Sequence, residues 1–467
     1  MSLTTPSKIR ELQKKLYVKA KQEPSFRFYL LYDKIYREDI LAYAYELARA
    51  NAGAPGVDGQ SFAGIERGVG PEAWLAELRR ELHDRTYQPQ PVRRVMIPKP
   101  GGGERALGIP TIRDRVVQTA AKLVLEPIVE ADLEPCAYGY RPKRSSQDAI
   151  REVHNYLQQG YTDVVDADLS KYFDTIPHGG LMQCVARRVV DGDVLHLIKM
   201  WLSVPAEVRD EAGRRHMEGG QGRGTPQGGV ISPLLANLYM NRFLKHWRKT
   251  GKGDQYQAVI VNYADDFVIL SRRHAAEARE WTGQVMRQIG LTLNEAKTSV
   301  KDARRESFHF LGYTFGRQRY WKEGRWYMAA RPADKAIGKL KQRVYDLLRP
   351  SEMAAWEEVR NRLNAILRGW KAYFSYGSVR KAYRGIDAYV YGCVRHFLWR
   401  RHRTTRSRGI RHFPAEAVFG KLGCCASSGT GWVVLRREPD AKSVGKPDAG
   451  NQHVRFDERG WETPGCL

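Results

Sequence analysis

The stretch Val259–Leu270, VIVNYADDFVIL, sets two adjacent aspartates, Asp265 and Asp266, between two of the most apolar runs in the chain. An ionised carboxylate carried into an apolar interior costs several kcal/mol unless a cation or hydrogen bonds compensate it. Side chains alternate faces along a strand, so two neighbouring carboxylates cannot both enter one packed face. The pattern therefore reads as a β-hairpin whose tight turn carries Ala264, Asp265 and Asp266, with at least one carboxylate projecting from its end. Taken alone, an Asp-Asp turn on a surface hairpin would account for it.

A second apolar strand, VVDADL (Val164–Leu169), ends on Asp166 and Asp168. Carboxylates at the ends of neighbouring strands make a hard-oxygen site suited to Mg²⁺, which keeps several waters and takes one or two carboxylates plus substrate phosphates. The charge balance points the same way: 77 Lys+Arg against 52 Asp+Glu leave a net +25 over 467 residues. A surplus of that size favours a polyanionic partner, because each phosphate contact releases counterions. Together these features suggest two-metal phosphoryl transfer on a nucleic acid.

Several classes are disfavoured. The six cysteines form no C-x-x-C pair, so neither a disulfide framework nor a zinc ribbon is indicated. His412 with the adjacent Cys424 and Cys425 suits a tetrahedral site poorly. The N-terminal MSLTTPSKIRELQKK has no apolar signal core, and no run approaches the ~20 apolar residues of a membrane span. A reducing, cytoplasmic setting is the expectation.

Along the chain, residues 1–60 read as a basic helical extension ending in the turn-rich NAGAPGVDG (Asn51–Gly59). PVRRVMIPKPGGGERALGIP reads as a hairpin around Gly101–Gly103. GTPQGGVISPLLANLYMNRFLKHW reads as a loop feeding a helix, with Ser232 as N-cap and Pro233 in its first turn. Beyond residue 318 the spacing of Trp356, Val359, Leu363, Leu367 and Trp370, and then of Ile386, Val390, Val394 and Phe397, predicts two or three long helices. These form a separate domain over 319–420, and 421–467 read as a loosely ordered tail.

The ordered set DADLSKYFD (Asp166–Asp174), GTPQGGVISPLLANLYMN (Gly224–Asn241), YADD (Tyr263–Asp266) and HFLGY (His309–Tyr313) resembles the palm of a reverse transcriptase. GAPGVDG, IPKPGGGERALGIPTIRDRVVQ and YGYRPKRSSQDAI resemble the fingers of bacterial group II intron-encoded proteins, which combine reverse transcriptase and maturase activity. LNAILRGWKAYFSYG (Leu363–Gly377) resembles their maturase, or thumb, domain. The resemblance covers roughly residues 25–420. It implies an α+β right-hand polymerase, with fingers and an antiparallel palm sheet over 61–318, followed by an α-helical thumb/maturase domain.

Carried over residue by residue, the resemblance implies Asp168, Asp265 and Asp266 as catalytic carboxylates holding two Mg²⁺ ions, with Mn²⁺ as a substitute, and the backbone of Leu169 facing a metal. Asp166 would be a local hydrogen-bonding residue. Gln227 and Ala264 would meet the incoming nucleotide, and Lys99 and Arg105 its triphosphate. Phe173, a bulky aromatic five positions after Asp168, would clash with a ribose 2′-hydroxyl and select deoxynucleotides. An ordinary core phenylalanine is the simpler alternative there.

Residues 360–412 are dense in arginine with interleaved aromatics, a mix suited to structured RNA. Arg368, Lys371, Arg400, Arg401 and Arg403, with Arg141, Lys143 and Arg144 of the fingers, are the expected RNA contacts. The implied partners are the protein's own intron RNA, an RNA template, primer or target DNA and dNTPs, in a bacterial cytoplasm near the nucleoid. Many relatives end in an HNH endonuclease with two C-x-x-C pairs; its absence here would leave mobility to nascent strands or other nicks as primers. Two other readings stand beside this one: a domesticated reverse transcriptase serving defence or repair without an intron, and a splicing cofactor that no longer polymerises.

Overall fold

A computed structural model describes residues 3–98, 103–209, 214–219, 222–320, 323–402 and 413–427. Lys99, Gly101, Gly102 and Arg403 lie outside the described residues, as does the tail from 428. The chain divides into two compact units. Among the described residues the first comprises 3–149 and 167–300, the second 150–166 and 301–427.

Eleven strands, numbered in chain order, form three sheets among the described residues. In the first unit, β1 (Val92–Pro98) and β2 (Glu104–Ile109) form the hairpin expected around the glycine turn, with Ile97 opposite Arg105. β4 (Ala206–Arg209) adds to β1 in parallel and β5 (Arg215–Glu218) pairs with β4, so the order is β2-β1-β4-β5.

The palm sheet has the order β6-β7-β3-β8, from β3 (Asp163–Asp168), β6 (Ala258–Tyr263), β7 (Asp266–Ser271) and β8 (Ser299–Asp302). β6 and β7 are the antiparallel hairpin of the opening stretch. Their apolar runs are buried, Val261 and Val268–Leu270 completely so. The helix Ser232–Lys249 packs beneath them: the rings of Phe243 and Phe267 lie 5.7 Å apart. That helix begins one residue away from expectation. Ile231 occupies the cap position and the Ser232 hydroxyl makes no capping bond, because the turn from Gly229 already runs into the helix through Ser232 N–H to Gly229 O (3.3 Å).

The centre of the first unit is the helix Ile112–Asp132. It is buried around nearly its whole circumference, which marks a helix with neighbours on every side. Thr111 and Asp114 cap it reciprocally, the Asp114 N–H reaching the Thr111 hydroxyl (3.1 Å) and that hydroxyl donating to the Asp114 carboxylate (2.7 Å). The N-terminal helix Ser7–Gln22 lies along it, with Gln13 donating to the Leu123 carbonyl (3.0 Å).

The second unit contains a three-stranded sheet, β11-β10-β9, from β9 (Phe308–Phe310), β10 (Tyr313–Arg319) and β11 (Trp326–Pro332). Three helices follow, Asp334–Leu347, Trp356–Tyr373 and Arg380–Arg401. The apolar residues at helical spacing, from Val359 and Leu363 to Val394 and Phe397, are the buried ones. Of the interleaved aromatics, Trp370, Phe374 and Tyr383 are core, so a share of that aromatic signal is packing.

Candidate active site

The β6–β7 hairpin closes through a two-residue turn, Ala264-Asp265, with Tyr263 opposite Asp266. Asp266 is thus the first residue of β7 and not part of the turn. The turn needs a left-handed residue in its first position, and Ala264 takes φ +59°. It then splits the two carboxylates: Asp265 is half-buried at the turn and Asp266 is exposed. Both ends of the opening puzzle are answered locally, since neither carboxylate enters the apolar layer between the strands.

The hairpin tip is seated on a segment more than a hundred residues earlier. Asn262, buried, accepts from Tyr138 N–H through its backbone carbonyl (2.8 Å) and donates its own N–H to Cys136 O (2.9 Å). Its side-chain amide donates to Ala264 O (2.8 Å). Gly139 lies flat under the turn: a Cβ there would sit 2.5 Å from the Ala264 nitrogen. Asn237 holds the Gly139 carbonyl from the other side (2.6 Å).

Gly139→Ala must therefore push the turn away from this seat. Overpacking of this kind costs about 1–3 kcal/mol. The expected result is an unfolding free energy lower by that amount, read as an earlier midpoint in chemical denaturation. Unchanged stability would mean that the turn tolerates relocation.

Arg141 was expected among the RNA contacts. Rather than lying on an RNA-facing surface, it is buried, with its guanidinium paired to Glu130 (2.7 Å) and donating to the carbonyls of Glu134 (2.8 Å) and Ala137 (2.7 Å). It secures the loop on which the hairpin tip rests. Arg144 is half-buried against the Tyr138 ring and donates to Pro135 O (2.9 Å); Lys143 is exposed.

Asp168 ends β3 beside the turn. One of its carboxylate oxygens accepts from the Asn294 amide (3.1 Å) and lies 3.1 Å from the Lys297 ammonium. The backbone is fixed in parallel, Asn294 N–H donating to Asp168 O (2.8 Å) and Ser170 N–H to Thr292 O (2.9 Å). This bridge places Leu169 opposite Leu293 and uses the carbonyls of Asp168 and Thr292, leaving that of Leu169 outside it. Asn294 and Lys297 went unnoticed in the sequence. Their signal was a polar pair at i, i+3 in LTLNEAKTSV, just ahead of β8.

Burial pushes the Asp265 carboxyl above the usual carboxylate range. Its own backbone N–H and the Arg105 guanidinium oppose that shift, the Asp168 charge adds to it, and Lys297 again opposes it. Asp168 and Asp265 therefore share one electrostatic site, with Arg105 and Lys297 as its cations. Asp166 is placed differently: it pairs with Lys301 (3.7 Å) within the second unit. Among the described residues no three His, Cys, Asp or Glu side chains converge closely enough to hold an ion by themselves.

Beyond β3 the chain turns sharply at Lys171 (φ +47°) into the short helix Tyr172–Thr175. Tyr172 is buried and donates to Ala236 O (2.6 Å), so its neighbour Phe173 is turned away from that core and is half-buried. The Phe173 carbonyl accepts from Thr225 N–H (2.7 Å), linking it to the TPQGG loop. There Gln227 extends toward Asp174 (3.4 Å). Its backbone carbonyl accepts from Gly108 N–H on β2 (2.6 Å), and Gly228 takes φ +108° because a Cβ would meet Gly108 O at 2.3 Å. Arg105, at the start of the same strand, is exposed. In the second unit Arg368 and Arg400 are exposed and Lys371 is half-buried, while Arg401 donates to the carbonyls of Ala354 (2.7 Å) and Met353 (3.2 Å).

Residues 97–315 match the family model described as reverse transcriptase (RNA-dependent DNA polymerase), and residues 337–413 match the maturase-specific domain of group II introns. Protein YkfC of Escherichia coli (strain K12) is 36% identical over 352 residues, covering 67% of this chain and 89% of that protein. The group II intron-encoded protein LtrA of Lactococcus lactis subsp. cremoris is 34% identical over 221 residues, which span 47% of this chain and 35% of LtrA. The putative COX1/OXI3 intron 1 protein of Saccharomyces cerevisiae is 28% identical over 327 residues, 59% of this chain and 38% of that protein. The matched segments thus span little more than a third of these two intron proteins.

Proposed function

The chain belongs to the reverse transcriptase/maturase family of group II intron-encoded proteins, RNA-directed DNA polymerases, and from that premise we propose how its own residues act. It copies RNA into DNA at the Asp168–Asp265 site and binds the intron RNA that encodes it, assisting splicing and target-primed mobility. The observation that carries this reading is the convergence of two carboxylates, one at the end of β3 and one in the β6–β7 turn and raised by burial, against the cations Arg105 and Lys297.

That donor set fits Mg²⁺. It offers hard oxygens only, fewer than a closed protein cage would need, and Mg²⁺ completes its shell with water and substrate phosphates. Asp168 and Asp265 would hold the ions, with Asp266 and the Leu169 carbonyl at the margin. Bound there, the ions would activate a primer 3′-hydroxyl and steady the departing pyrophosphate. Arg105, with Lys99 by the family resemblance, attracts the triphosphate. Gln227 and Ala264 bound the base and sugar. Asn294 orients the Asp168 carboxylate, and Lys297 keeps it neutralised while the site is empty of substrate.

By the family resemblance Phe173 would meet the sugar, and its backbone carbonyl is tied to Thr225 N–H (2.7 Å). Phe173→Val should admit ribonucleotides, lowering the ratio of kcat/KM for a dNTP over its ribonucleotide by about a hundredfold, the scale of relieving a steric clash of 1–3 kcal/mol. An unchanged ratio would assign the ring to packing.

The polymerase reading is tested by primer extension on an RNA template with dNTPs and Mg²⁺; no product from the wild-type protein refutes it. Recovery of splicing by a precursor containing the surrounding RNA tests the maturase half. Arg368, Lys371 and Arg400, with Lys143 and Arg144, are the cations proposed to hold that RNA.

A further inference from the structure

On the helix Ser232–Lys249, the residues Arg242, Lys245, His246 and Lys249 recur at i, i+3, i+4 and i+7. That stripe lies on a different face from Tyr239, Phe243 and Trp247, which are buried. With Arg187, at the end of the helix His178–Ala186, it walls a cavity of about 280 Å³. The buried Val285 and Ile289 of the neighbouring helix and its end line the other side, with Gln288 beside them. Among the described residues no acidic side chain lines it. The nearest carboxylate identified, Asp132, lies 3.9 Å from Lys245 but is closer to Arg188 (3.2 Å). The fields of Arg187, Arg242 and Lys245 converge on the buried Cys184 thiol, each pulling down a pKa that burial raises.

Folding alone does not call for this arrangement. Cations in the last turn suit the negative end of the helix dipole, which accounts for His246 and Lys249. Arg242 lies nearly two turns before the helix end and Arg187 comes from another element, so both escape that account. Like charges at i, i+3 and i, i+4 repel along a helix, and their convergence on a concave surface only adds to the repulsion.

We propose that this cavity is a second nucleic-acid site that takes the phosphates of a folded RNA backbone, away from the polymerising cleft. The choice of RNA among polyanions rests on the maturase reading above. Arg242 to Lys249 begin about 15 Å and end about 25 Å along the helix axis from its N-terminal end, where the Gln227 loop enters. Successive cations on one stripe follow a chain of charges better than a single anion. The lining includes no glycine-rich loop of the kind that cradles a nucleotide triphosphate. No large apolar residue around the cavity is exposed, which leaves nothing to insert into a lipid surface.

The test uses the full chain and a closed RNA hairpin without a single-stranded 3′ end, which cannot act as template or primer. Affinity is measured against salt for wild type and for the combined variant Arg242→Gln, Lys245→Gln, Lys249→Gln. Loss of three phosphate contacts should flatten the slope of log K against log salt by about 2–3 and weaken binding at low salt by tenfold or more. Extension of a short primer on an oligonucleotide template should not change, which also reports that the variant folds. The single exposed change Lys249→Glu should flatten the slope by about 1.

An unchanged slope in both variants, with wild type binding the hairpin and extending primers, overturns the site and leaves the proposed function standing. Wild type that neither binds nor extends refutes the function itself. Two further arms separate the sources of phosphate: tripolyphosphate, or vesicles containing phosphatidylglycerol. Binding of either that the triple change abolishes, with the RNA slope unmoved, would assign the cavity to that ligand and overturn the proposal.

Discussion

Asp265→Asn should lower primer extension by a thousandfold or more while raising the melting temperature of the metal-free protein. The two effects have one cause. Burial and the Asp168 charge raise the Asp265 carboxyl above its ordinary range, so its ionised form is a cost to the fold at neutral pH. The sign follows from linkage: with the folded-state pKa above the unfolded one, the metal-free fold gains stability as pH falls through the raised value toward the ordinary one. Asparagine fits the same space without charge and removes both the cost and that pH dependence. On the proposed reading it also removes an oxygen ligand from a site with few, and a loss of several kcal/mol of transition-state stabilisation corresponds to three decades of rate. Added Mg²⁺ should raise the melting temperature of wild type and leave the variant nearly unmoved. Thermal melts with and without Mg²⁺, beside primer extension, check all of it; a variant that is less stable than wild type without metal would contradict the assignment. Binding of the RNA hairpin should survive the change.

Arg141→Met tests the seat of the same turn. The guanidinium is buried and holds Glu130 together with two backbone carbonyls, so its removal leaves a largely buried carboxylate and two carbonyls without their donor. Breaking a buried pair from one side costs about 3–5 kcal/mol. The loss should appear as an earlier midpoint in chemical denaturation, with a matching fall in primer extension as the 134–141 loop loosens under Ala264. RNA affinity, measured below the new midpoint, should stay within about twofold. A stable variant that binds RNA weakly would return Arg141 to the RNA surface where its position in YGYRPKRS first suggested it.

What could be read from the chain divides along a physical line. The hairpin of VIVNYADDFVIL, the β1–β2 hairpin and the helical spacing after Val359 depend on local alternation and periodicity, and they are present as expected. The role of Arg141 is set by burial under distant residues, which a list of positive charges cannot reveal. Asn262 looked like one more residue of an apolar strand, although its amide is what fastens the turn. Ser232 has the right chemistry for a cap, yet the preceding turn leaves it no cap to make. The cationic stripe of Arg242–Lys249 was in plain view, but the apolar face of the same helix explained the segment so well that its other face went unread.

The bridge between Ala137 and Asn262 joins positions 125 residues apart in the chain. A two-residue hairpin closes on its own within microseconds, whereas contacts across so long a loop must first meet its closure entropy. The hairpin bearing Asp265 and Asp266 can therefore form well before the platform that sets its tip. On the proposed reading of the site, catalytic competence is then expected late in folding, when the 134–141 loop docks. A chain still folding would hold its carboxylates in approximate positions, exposed to solvent and unable to start a DNA strand on whatever RNA lies nearby.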